Sequence, residues 1–269
     1  MFKSNFKSGV YYNLEEGVYR SDPALSTSNL KELGKSNPEH FRALCRGDIE
    51  WKSSAAMELG SLFHMYILER GRWDTETIFK PTDIDYRTKV GKVWREENAD
   101  KTIVTVDQWG SIQAMAERYY NLPAVKSLVK PQYEVSAVAK DFVKGIDVKC
   151  RIDALDQDVV VDIKTTRAGG ANPRKFGYTV RDLKYHWQQQ NYTNILKANG
   201  RNIRKWYWAV IETEAPYDCA VYELHSQDLV MAEAELKEAY KTLEACLELN
   251  TWPNYTPTHP MTISAFGNV

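Results

Sequence analysis

The stretch KCRIDALDQDVVVDIKTT, residues 149–166, carries the most structural information in this chain. Its apolar residues flank the turn-forming pair Asp156–Gln157, which predicts a β-hairpin. The run of valines indicates that the second strand is buried on both faces. Three charged residues, Asp153, Asp162 and Lys164, nevertheless lie among these apolar residues. Because buried carboxylates are unfavourable unless a cation or hydrogen bonds neutralise them, the hairpin is predicted to hold a functional site.

The position of the turn predicts which side chains of the hairpin share a face. With the turn at Asp156–Gln157, Asp153 lies opposite Val160. Asp153 and Asp162 are then diagonal neighbours, roughly 7–8 Å apart, and Lys164 follows on the same face. Two carboxylates at this spacing suit a hard divalent ion such as Mg²⁺ or Mn²⁺. An Asp and a Lys two residues apart are also common on a solvated strand, and it is the valine run that favours the buried interpretation.

Composition and charge limit the classes of function. The chain has 269 residues, of which 43% are hydrophobic and 26% charged, as in ordinary globular proteins. The formal net charge of −1 gives no overall attraction for nucleic acid, so a polyanion would need a local basic surface. Without repeats or a long linker, residues 1–269 are predicted to form one domain. Its parts are a helical N-terminal region at about 25–125, a core at about 130–225 and a C-terminal helix at about 227–250.

The chain contains no continuous apolar run long enough to span a membrane. Its first residues lack the apolar segment of a secretory signal, so we expect a cytoplasmic protein. The cysteines occur singly along the chain, at Cys45, Cys150, Cys219 and Cys246. This spacing favours reduced thiols over a disulfide framework or a zinc site.

Periodicity predicts an α/β fold, with a mixed β-sheet flanked by helices and further helices before the sheet. The predicted helices cover residues 25–45 with a break near Pro38, 53–70, 106–122, 180–200 and 227–249. The predicted strands cover 132–142, 146–155 and 158–166, followed by a hairpin at 205–224 with its turn at Glu214–Pro216. Residues 73–105 are predicted to be mainly loop.

The hairpin and four further segments resemble one family of enzymes. RIDAL followed by VVVDIKTT resembles the D…(D/E)-x-K core of the PD-(D/E)xK nuclease superfamily. GSLFHMYILE (60–69) is similar to the G-x-x-x-H-x-x-x-x-E helix of RecB-like nucleases, and QQQNYTNIL (188–196) to their Q-x-x-x-Y helix. LSTSNLKELGKSNPEHFR resembles their opening helix, and YEVSAV their first core strand. With WPNY near the end, the chain resembles RecE-like nuclease domains of the exonuclease VIII type over about residues 25–255.

The resemblance implies roles for individual residues. The implied metal ligands are Asp153, Asp162, the backbone carbonyl of Ile163, and His64. Asp162 stands where many relatives have Glu, which also ligates metal. Lys164 matches the catalytic lysine, which can orient a water molecule or stabilise the phosphate in the transition state. By its position alone His64 also fits an ordinary histidine at the edge of a helix, although Gly60 one turn earlier permits another backbone to approach that face.

Four more residues are candidates around this core. Gln188 and Tyr192 are four apart on one helix face, and the resemblance places them beside the scissile phosphate as catalytic residues. In the structural alternative, Tyr192 packs on the sheet and the side-chain amide of Gln188 acts as a cap. Glu134 and Arg151 are candidates for support of the metal ligands. Glu134 also fits a direct metal ligand or an exposed strand position. Arg151 also fits a contact with phosphate or a structural ion pair with Asp162, and the ion pair is favoured.

DNA contacts are expected from local cations that follow the core. The first cluster is Arg167, Arg174, Lys175, Arg181 and Lys184, next to the flexible pair Gly169–Gly170. A second cluster is Arg87, Lys89, Lys92 and Arg95 with Trp94. Phosphate contacts of this kind are sequence-independent and salt-sensitive. An ordinary exposed charged loop without a DNA role is an equal alternative for the first cluster and the favoured interpretation of the second.

The resemblance implies a Mg²⁺-dependent nuclease, with Mn²⁺ as a substitute. RecE-like relatives imply 5′→3′ digestion of double-stranded DNA ends that leaves 3′ single strands for phage-type recombination. They also imply a toroidal homo-oligomer, a RecT-like single-strand annealing partner, and a phage or prophage gene in a bacterial host. The cysteine spacing does not fit the iron–sulfur cluster of other RecB-like nucleases. A structure-specific or restriction-type endonuclease and a non-catalytic DNA-binding module are the alternatives.

Overall fold

A mixed β-sheet lies at the centre of the computed structural model, which describes residues 1–49 and 54–255. The strands are β1 (Gly9–Tyr11), β2 (Leu25–Ser26), β3 (Thr77–Phe79), β4 (Thr102–Val104), β5 (Gln132–Val143), β6 (Ile146–Asp156), β7 (Val159–Thr166), β8 (Lys205–Glu212) and β9 (Cys219–Tyr222). The helices are α1 (Glu16–Ser21), α2 (Thr27–Lys35), α3 (Pro38–Arg46), α4 (Ala55–Leu68), α5 (Arg70–Glu76), α6 (Lys89–Glu97), α7 (Val106–Tyr120), α8 (Pro123–Lys126), α9 (Pro173–Asp182), α10 (Tyr185–Ala198) and α11 (Ser226–Leu249). The predicted α/β fold with a mixed sheet is confirmed.

The order of strands in the main sheet is β1-β5-β6-β7-β8-β9, and β2 pairs with β6 outside this path. Strands β5, β6 and β7 form an antiparallel meander, whereas β7 and β8 are parallel. A parallel pair needs a crossover connection, and α9 and α10 supply it. This crossover carries the Q-x-x-x-Y segment back across the sheet, close to the end of β7.

Helices cover both faces of the sheet, and each face has its own apolar core. One core joins the sheet to α2, α10 and α11 around Ile152, Val160 and Trp208. The other joins it to α4 and α7 around Val161, Ile163 and Phe63. The helices with the two helical motifs therefore approach β7 from opposite sides. The break predicted at Pro38 is present, because α2 ends before it and α3 begins with it.

The register of the central hairpin differs from the prediction by two residues. Ala154 pairs with Val161 and Asp156 with Val159, so the turn is Gln157–Asp158. Gln157 has a φ of 53°, the left-handed conformation that a two-residue hairpin turn requires. The next residues outward from the turn are Asp153 and Asp162. The two carboxylates are therefore level with each other across the strands, and the predicted diagonal arrangement is wrong.

Two predicted segments also differ from the structure. The helix predicted at 180–200 is divided between α9 and α10, because Lys184 has a left-handed φ of 55° between them. The segment 73–105, predicted as loop, contains α5, α6 and a small parallel sheet of β3 and β4. Of the predicted single domain 1–269, residues 50–53 and 256–269 lie outside the described residues. Within the described ranges, the structure has no helix with both the length and the apolar character needed to span a membrane.

Candidate active site

The two predicted carboxylates meet where β6 and β7 separate. Pairing between the strands ends at Ala154–Val161, and the Asp153 carboxylate then accepts a hydrogen bond of 2.7 Å from the backbone N–H of Ile163. Asp162, one residue earlier on β7, is fully buried. Asp153 thus satisfies a backbone donor that the diverging strands would leave unpaired. The separation brings two acids and a backbone segment together at one point.

Lys164 completes the predicted core of the site. Its ammonium forms an ion pair with Asp162 and lies 3.4 Å from the carbonyl oxygen of Ile163. It also lies 5.0 Å from the ring centre of Tyr185 and 5.1 Å from that of Trp208. Burial opposes the charged form, but the charges of Asp162 and Asp153 outweigh it and raise the pKa of Lys164 above its ordinary value. The two neighbouring carboxylates therefore favour the charged form of Lys164.

For Asp153, in contrast to Lys164, the surroundings disfavour the charged form. Burial, reinforced by the negative charge of Asp162, raises the pKa of Asp153 well above its ordinary value, and Lys164 offsets only part of this effect. His64 on α4 places its Nδ1 atom 4.0 Å from the Asp153 carboxylate. Burial and the charge of Lys164 lower the pKa of His64 to about 3, so the imidazole is neutral at physiological pH. Neutral imidazole is the form that binds metal ions.

Close packing of α4 on β7 sets the position of His64. A Cβ atom added to Gly60 would lie 2.6 Å from the side-chain oxygen of Thr165, which is closer than real Cβ contacts. Glycine is thus required at this contact, and His64 follows one helical turn later. The close approach expected at Gly60 is made by the side chain of Thr165, and the expectation of a backbone contact is wrong.

Gln188 reaches the site from the other face of the sheet. Its side-chain amide donates a hydrogen bond of 2.7 Å to Asp162, and its carbonyl oxygen accepts one of 3.2 Å from Lys31. Lys31 was not among the predicted site residues. Its place is apparent only in the tertiary structure, where the Asn191 side chain donates to the hydroxyl of Thr27, one turn before Lys31, and so marks the face of α2 that docks on α10.

Tyr192 lies deeper than Gln188. Its ring is buried and packs edge-on against Trp206 within the core that α10 forms with the sheet. Burial, reinforced by neighbouring groups that include Asp162, raises the pKa of Tyr192 well above its ordinary value. These contacts correspond to the structural alternative for Tyr192, whereas Gln188 contacts the predicted acid directly.

Arg151 and Glu134 form an ion-pair network beside Asp153. Arg151 pairs with Glu134 and lies 3.5 Å from Glu69, the last residue of the quoted GSLFHMYILE motif. The ion pair of Arg151 with Asp162 is therefore a wrong prediction. Glu134 interrupts β5 with a φ of 49° between the pairs Tyr133–Ala154 and Val135–Ile152, level with Asp153. Burial raises the pKa of Glu134, although Arg151 opposes this effect.

The first predicted basic cluster lies largely on α9, at the start of the crossover. Arg174 and Arg181 are exposed and both approach the ring of Tyr178, at 5.9 and 5.3 Å. Tyr178, which is 46% exposed, was missed by the sequence analysis. Arg167 and Lys175 are also exposed. Lys184 differs, because it pairs with Glu235 at 3.1 Å and is partly buried.

The second predicted basic cluster lies on and before α6. Trp94 stacks with Tyr86, their ring centres 6.3 Å apart, and Arg95 lies 5.5 Å from the Tyr86 ring. Arg87 pairs with Asp85 at 2.7 Å, while Lys89 and Lys92 are exposed. The stacking therefore occurs within the protein itself and stabilises the segment around α6.

The residues present fit a divalent metal ion of the hard class. No three His, Cys, Asp or Glu side chains within residues 1–49 and 54–255 form a ready-made metal cluster. Two carboxylates and a backbone carbonyl nevertheless converge at Asp153, Asp162 and Ile163, and His64 is the nearest nitrogen donor. Burial and the neighbouring charge of Asp162 raise the pKa of Asp153, and a cation bound beside it would stabilise its ionised form. Oxygen donors of this type are the ligands that Mg²⁺ prefers.

The sheet topology and the Asp153–Asp162–Lys164 cluster define a domain of the PD-(D/E)xK nuclease class. The chain belongs to the family described as PDDEXK-like domain of unknown function (DUF3799), whose model matches residues 26–259. The predicted PD-(D/E)xK resemblance is thereby confirmed. A comparison with curated proteins gave no match.

The fold is also found in a crystal structure of a candidate exonuclease from Eubacterium rectale. The TM-score is 0.66, and the match covers 94% of this chain and 97% of the other. The identity between the two sequences is 16%, so this similarity concerns the fold.

Proposed function

We propose that this protein is a metal-dependent nuclease that hydrolyses phosphodiester bonds in DNA. The observation that carries the proposal is the convergence of Asp153, Asp162 and Lys164 at the point where β6 and β7 separate. Membership of a PDDEXK-like family supports it. A non-catalytic DNA-binding module has no use for two buried acids beside a buried lysine, because their burial is costly.

Asp153, Asp162, the Ile163 carbonyl and His64 would hold the ion. When bound, Mg²⁺ would polarise the phosphate and lower the pKa of a water molecule. The neighbouring carboxylates favour the charged form of Lys164, whose role would be to orient the water and stabilise negative charge on the phosphate. Gln188 fixes the Asp162 carboxylate through its 2.7 Å hydrogen bond and is close enough to contact the same phosphate.

We further propose 5′→3′ exonuclease action on double-stranded DNA ends, with 3′ single strands as the product for recombination. The RecE-like motif order supports this, and the Eubacterium rectale neighbour is itself described as a candidate exonuclease. The same resemblance supports a closed homo-oligomer around DNA, a single-strand annealing protein as partner, and a phage-type gene in a bacterial host. Sedimentation velocity with and without DNA tests the oligomer.

Digestion of linear duplex DNA, labelled separately at the 5′ and 3′ ends, tests the activity. The reactions contain Mg²⁺ or EDTA, and closed-circular duplex runs beside them. We expect Mg²⁺-dependent release of the 5′ label first, with circles intact. Asp162→Asn keeps the shape of the side chain and is expected to lower the rate by at least about 10³-fold.

Asp158→Asn is the matched control, because Asp158 lies on the same hairpin but pairs with Arg204 at the surface. It is expected to retain wild-type activity. Cut circles would replace the exonuclease proposal with an endonuclease, and early release of the 3′ label would reverse the polarity. Binding of DNA without cleavage in either Mg²⁺ or Mn²⁺ would refute the nuclease proposal.

A further inference from the structure

Lys31 is a half-buried cation inside the candidate active site. Its ammonium donates to Gln188 at 3.2 Å and lies 5.1 Å from the ring centre of Tyr185. Lys164 approaches the same ring at 5.0 Å, so one aromatic side chain contacts both ammonium groups. Lys31 on α2 and Lys164 on β7 therefore face a common space in front of Asp162.

Lys31 lacks the partners that a structural lysine has elsewhere in this protein. Lys149, for example, is buried and donates to three backbone carbonyls, at 2.6, 3.4 and 2.5 Å. Lys35, one turn after Lys31, has an ion pair with Glu32. Within the described residues, Lys31 has the single hydrogen bond to Gln188 and no carboxylate at ion-pair distance. Two of its N–H donors therefore remain available.

Charge in the site favours an anionic ligand at this position. The two ammonium groups already balance the two carboxylates Asp153 and Asp162. A divalent cation would leave the site with excess positive charge, which a phosphodiester would offset. Burial, the charge of Lys164 and neighbouring groups lower the pKa of Lys31 to about 7, so an anion beside Lys31 would relieve an unfavourable charge.

We propose that Lys31 is a substrate-binding residue whose ammonium contacts a non-bridging oxygen of a DNA backbone phosphate held at Asp153, Asp162 and Lys164. This inference rests on the proposed nuclease function. It assigns α2, an element outside the PD-(D/E)xK core strands, a direct part in holding the substrate. The hydrogen bond to Gln188 keeps the ammonium in place while no phosphate is present.

Fluorescence anisotropy with a labelled duplex oligonucleotide, with Ca²⁺ in place of Mg²⁺ and at a pH below 7, measures Kd, and a denaturing gel verifies that the duplex stays intact during the titration. Lys31→Met is expected to raise Kd about tenfold and to lower the slope of log Kd against log salt by about 0.9, the loss of one phosphate contact. Lys31→Arg is expected to restore most of the affinity and the slope. In Mg²⁺, the same loss should appear as a higher KM for cleavage.

Lys35→Met is the control, because Lys35 lies on the same helix and its charge is already paired. It should bind and cleave like the wild type. Thermal unfolding verifies that each variant is folded, and Lys31→Gln replaces the Met variant if that one is not. A wild-type Kd and salt slope in Lys31→Met, or a loss of kcat alone, would overturn the proposal.

Failure of the two proposals can be told apart. If the wild type cleaves DNA but binding does not depend on Lys31, only the Lys31 proposal is wrong. If the wild type binds DNA through Lys31 but never cleaves it, the nuclease proposal is wrong and Lys31 remains a phosphate ligand.

Discussion

At the scale of single residues, the site is a balance of buried charges. Asp153 and Asp162 repel each other, Lys164 neutralises part of that charge, and Lys31 is placed close to another cation. The charged forms of Asp153 and Lys31 are less favourable in the folded protein than in water. Such clusters persist where function requires them, and they make metal, pH and stability interdependent.

Lys31 is expected to make stability depend on pH. Its pKa is about 7 in the folded protein against an ordinary value of 10.5, so between these values the unfolded chain binds more protons and stability rises with pH. The groups that face Lys31 are Lys164, Asp162 and Tyr185, together with Lys35 and Glu32 on its own helix. Lys31→Met should therefore raise Tm in EDTA by about 3–6 °C at pH 6. The gain should shrink toward zero near pH 10, and a gain independent of pH would contradict this prediction.

Replacement of the Asp153 carboxylate is expected to affect metal binding and stability in opposite directions. Mg²⁺ at ten times its Kd should stabilise the wild type by about 1.4 kcal/mol, seen as a rise in Tm. Asp153→Asn should abolish this rise, because a metal ligand is lost. In EDTA at neutral pH the same variant should unfold at a higher temperature than the wild type, because the ionised Asp153 is unfavourable there.

Differential scanning calorimetry with and without Mg²⁺ measures both effects. Asp158→Asn provides the control, since this surface residue has no contact with the site and its Mg²⁺ response should equal that of the wild type. An unchanged Mg²⁺ response in Asp153→Asn would exclude Asp153 as a ligand.

At the scale of elements, the site depends on how helices dock on the end of β7. The Gly60–Thr165 contact sets the distance of α4, and the Thr27–Asn191 hydrogen bond of 2.7 Å joins α2 to α10. The left-handed Lys184 separates α9 from α10. These contacts place His64, Lys31 and Gln188 around β7 from three helices that are distant in sequence.

Gly60→Ala is expected to push α4 away from β7. The added methyl group would meet Thr165 at 2.6 Å, which should cost about 1–3 kcal/mol and displace His64. Thermal unfolding and the DNA digestion assay should both show the loss. Gly110→Ala within α7 is the control, because nothing lies near its added methyl group and alanine favours the helix. Equal Tm values for the two variants would refute the packing argument.

At the scale of the whole molecule, the attraction for DNA has to come from a local basic surface. The formal net charge is −1, so the protein as a whole does not attract a polyanion. Exposed cations on α9 lie at the start of the crossover that leads to Gln188, and Tyr178 offers a ring between two of them. This surface is the best candidate for contact with the DNA that leads into the site.

The double variant Arg174→Gln/Arg181→Gln is expected to weaken DNA binding and to lower the salt slope of log Kd by about 1.8, the loss of two phosphate contacts. Anisotropy titrations at several salt concentrations measure both quantities. Arg204→Gln is the control, because Arg204 is an exposed arginine paired with Asp158 away from α9. A decrease of the salt slope in Arg204→Gln half as large as in the double variant would mean that binding follows net charge and that α9 is not the contact surface.

The sequence by itself determined the parts of this protein that are encoded locally. The strands of the meander, the break at Pro38 and the D…D-x-K spacing each follow from patterns within a few residues, because strand and helix periods are short. The same local patterns placed Gln188 and His64 on the correct helices. The resemblance of five such segments to known nucleases, and not their periodicity, predicted the PD-(D/E)xK class.

Only the tertiary structure decided how these parts meet. The Lys31–Gln188 hydrogen bond joins residues 157 positions apart, and the Arg151–Glu69 pair joins residues 82 apart. The observed hairpin register differs from the predicted one by two residues. The sequence permits several turn geometries, and the left-handed conformation of Gln157 belongs to only one of them. Contacts of this kind depend on helix docking and backbone angles, which the packing of the whole chain selects and no short pattern encodes.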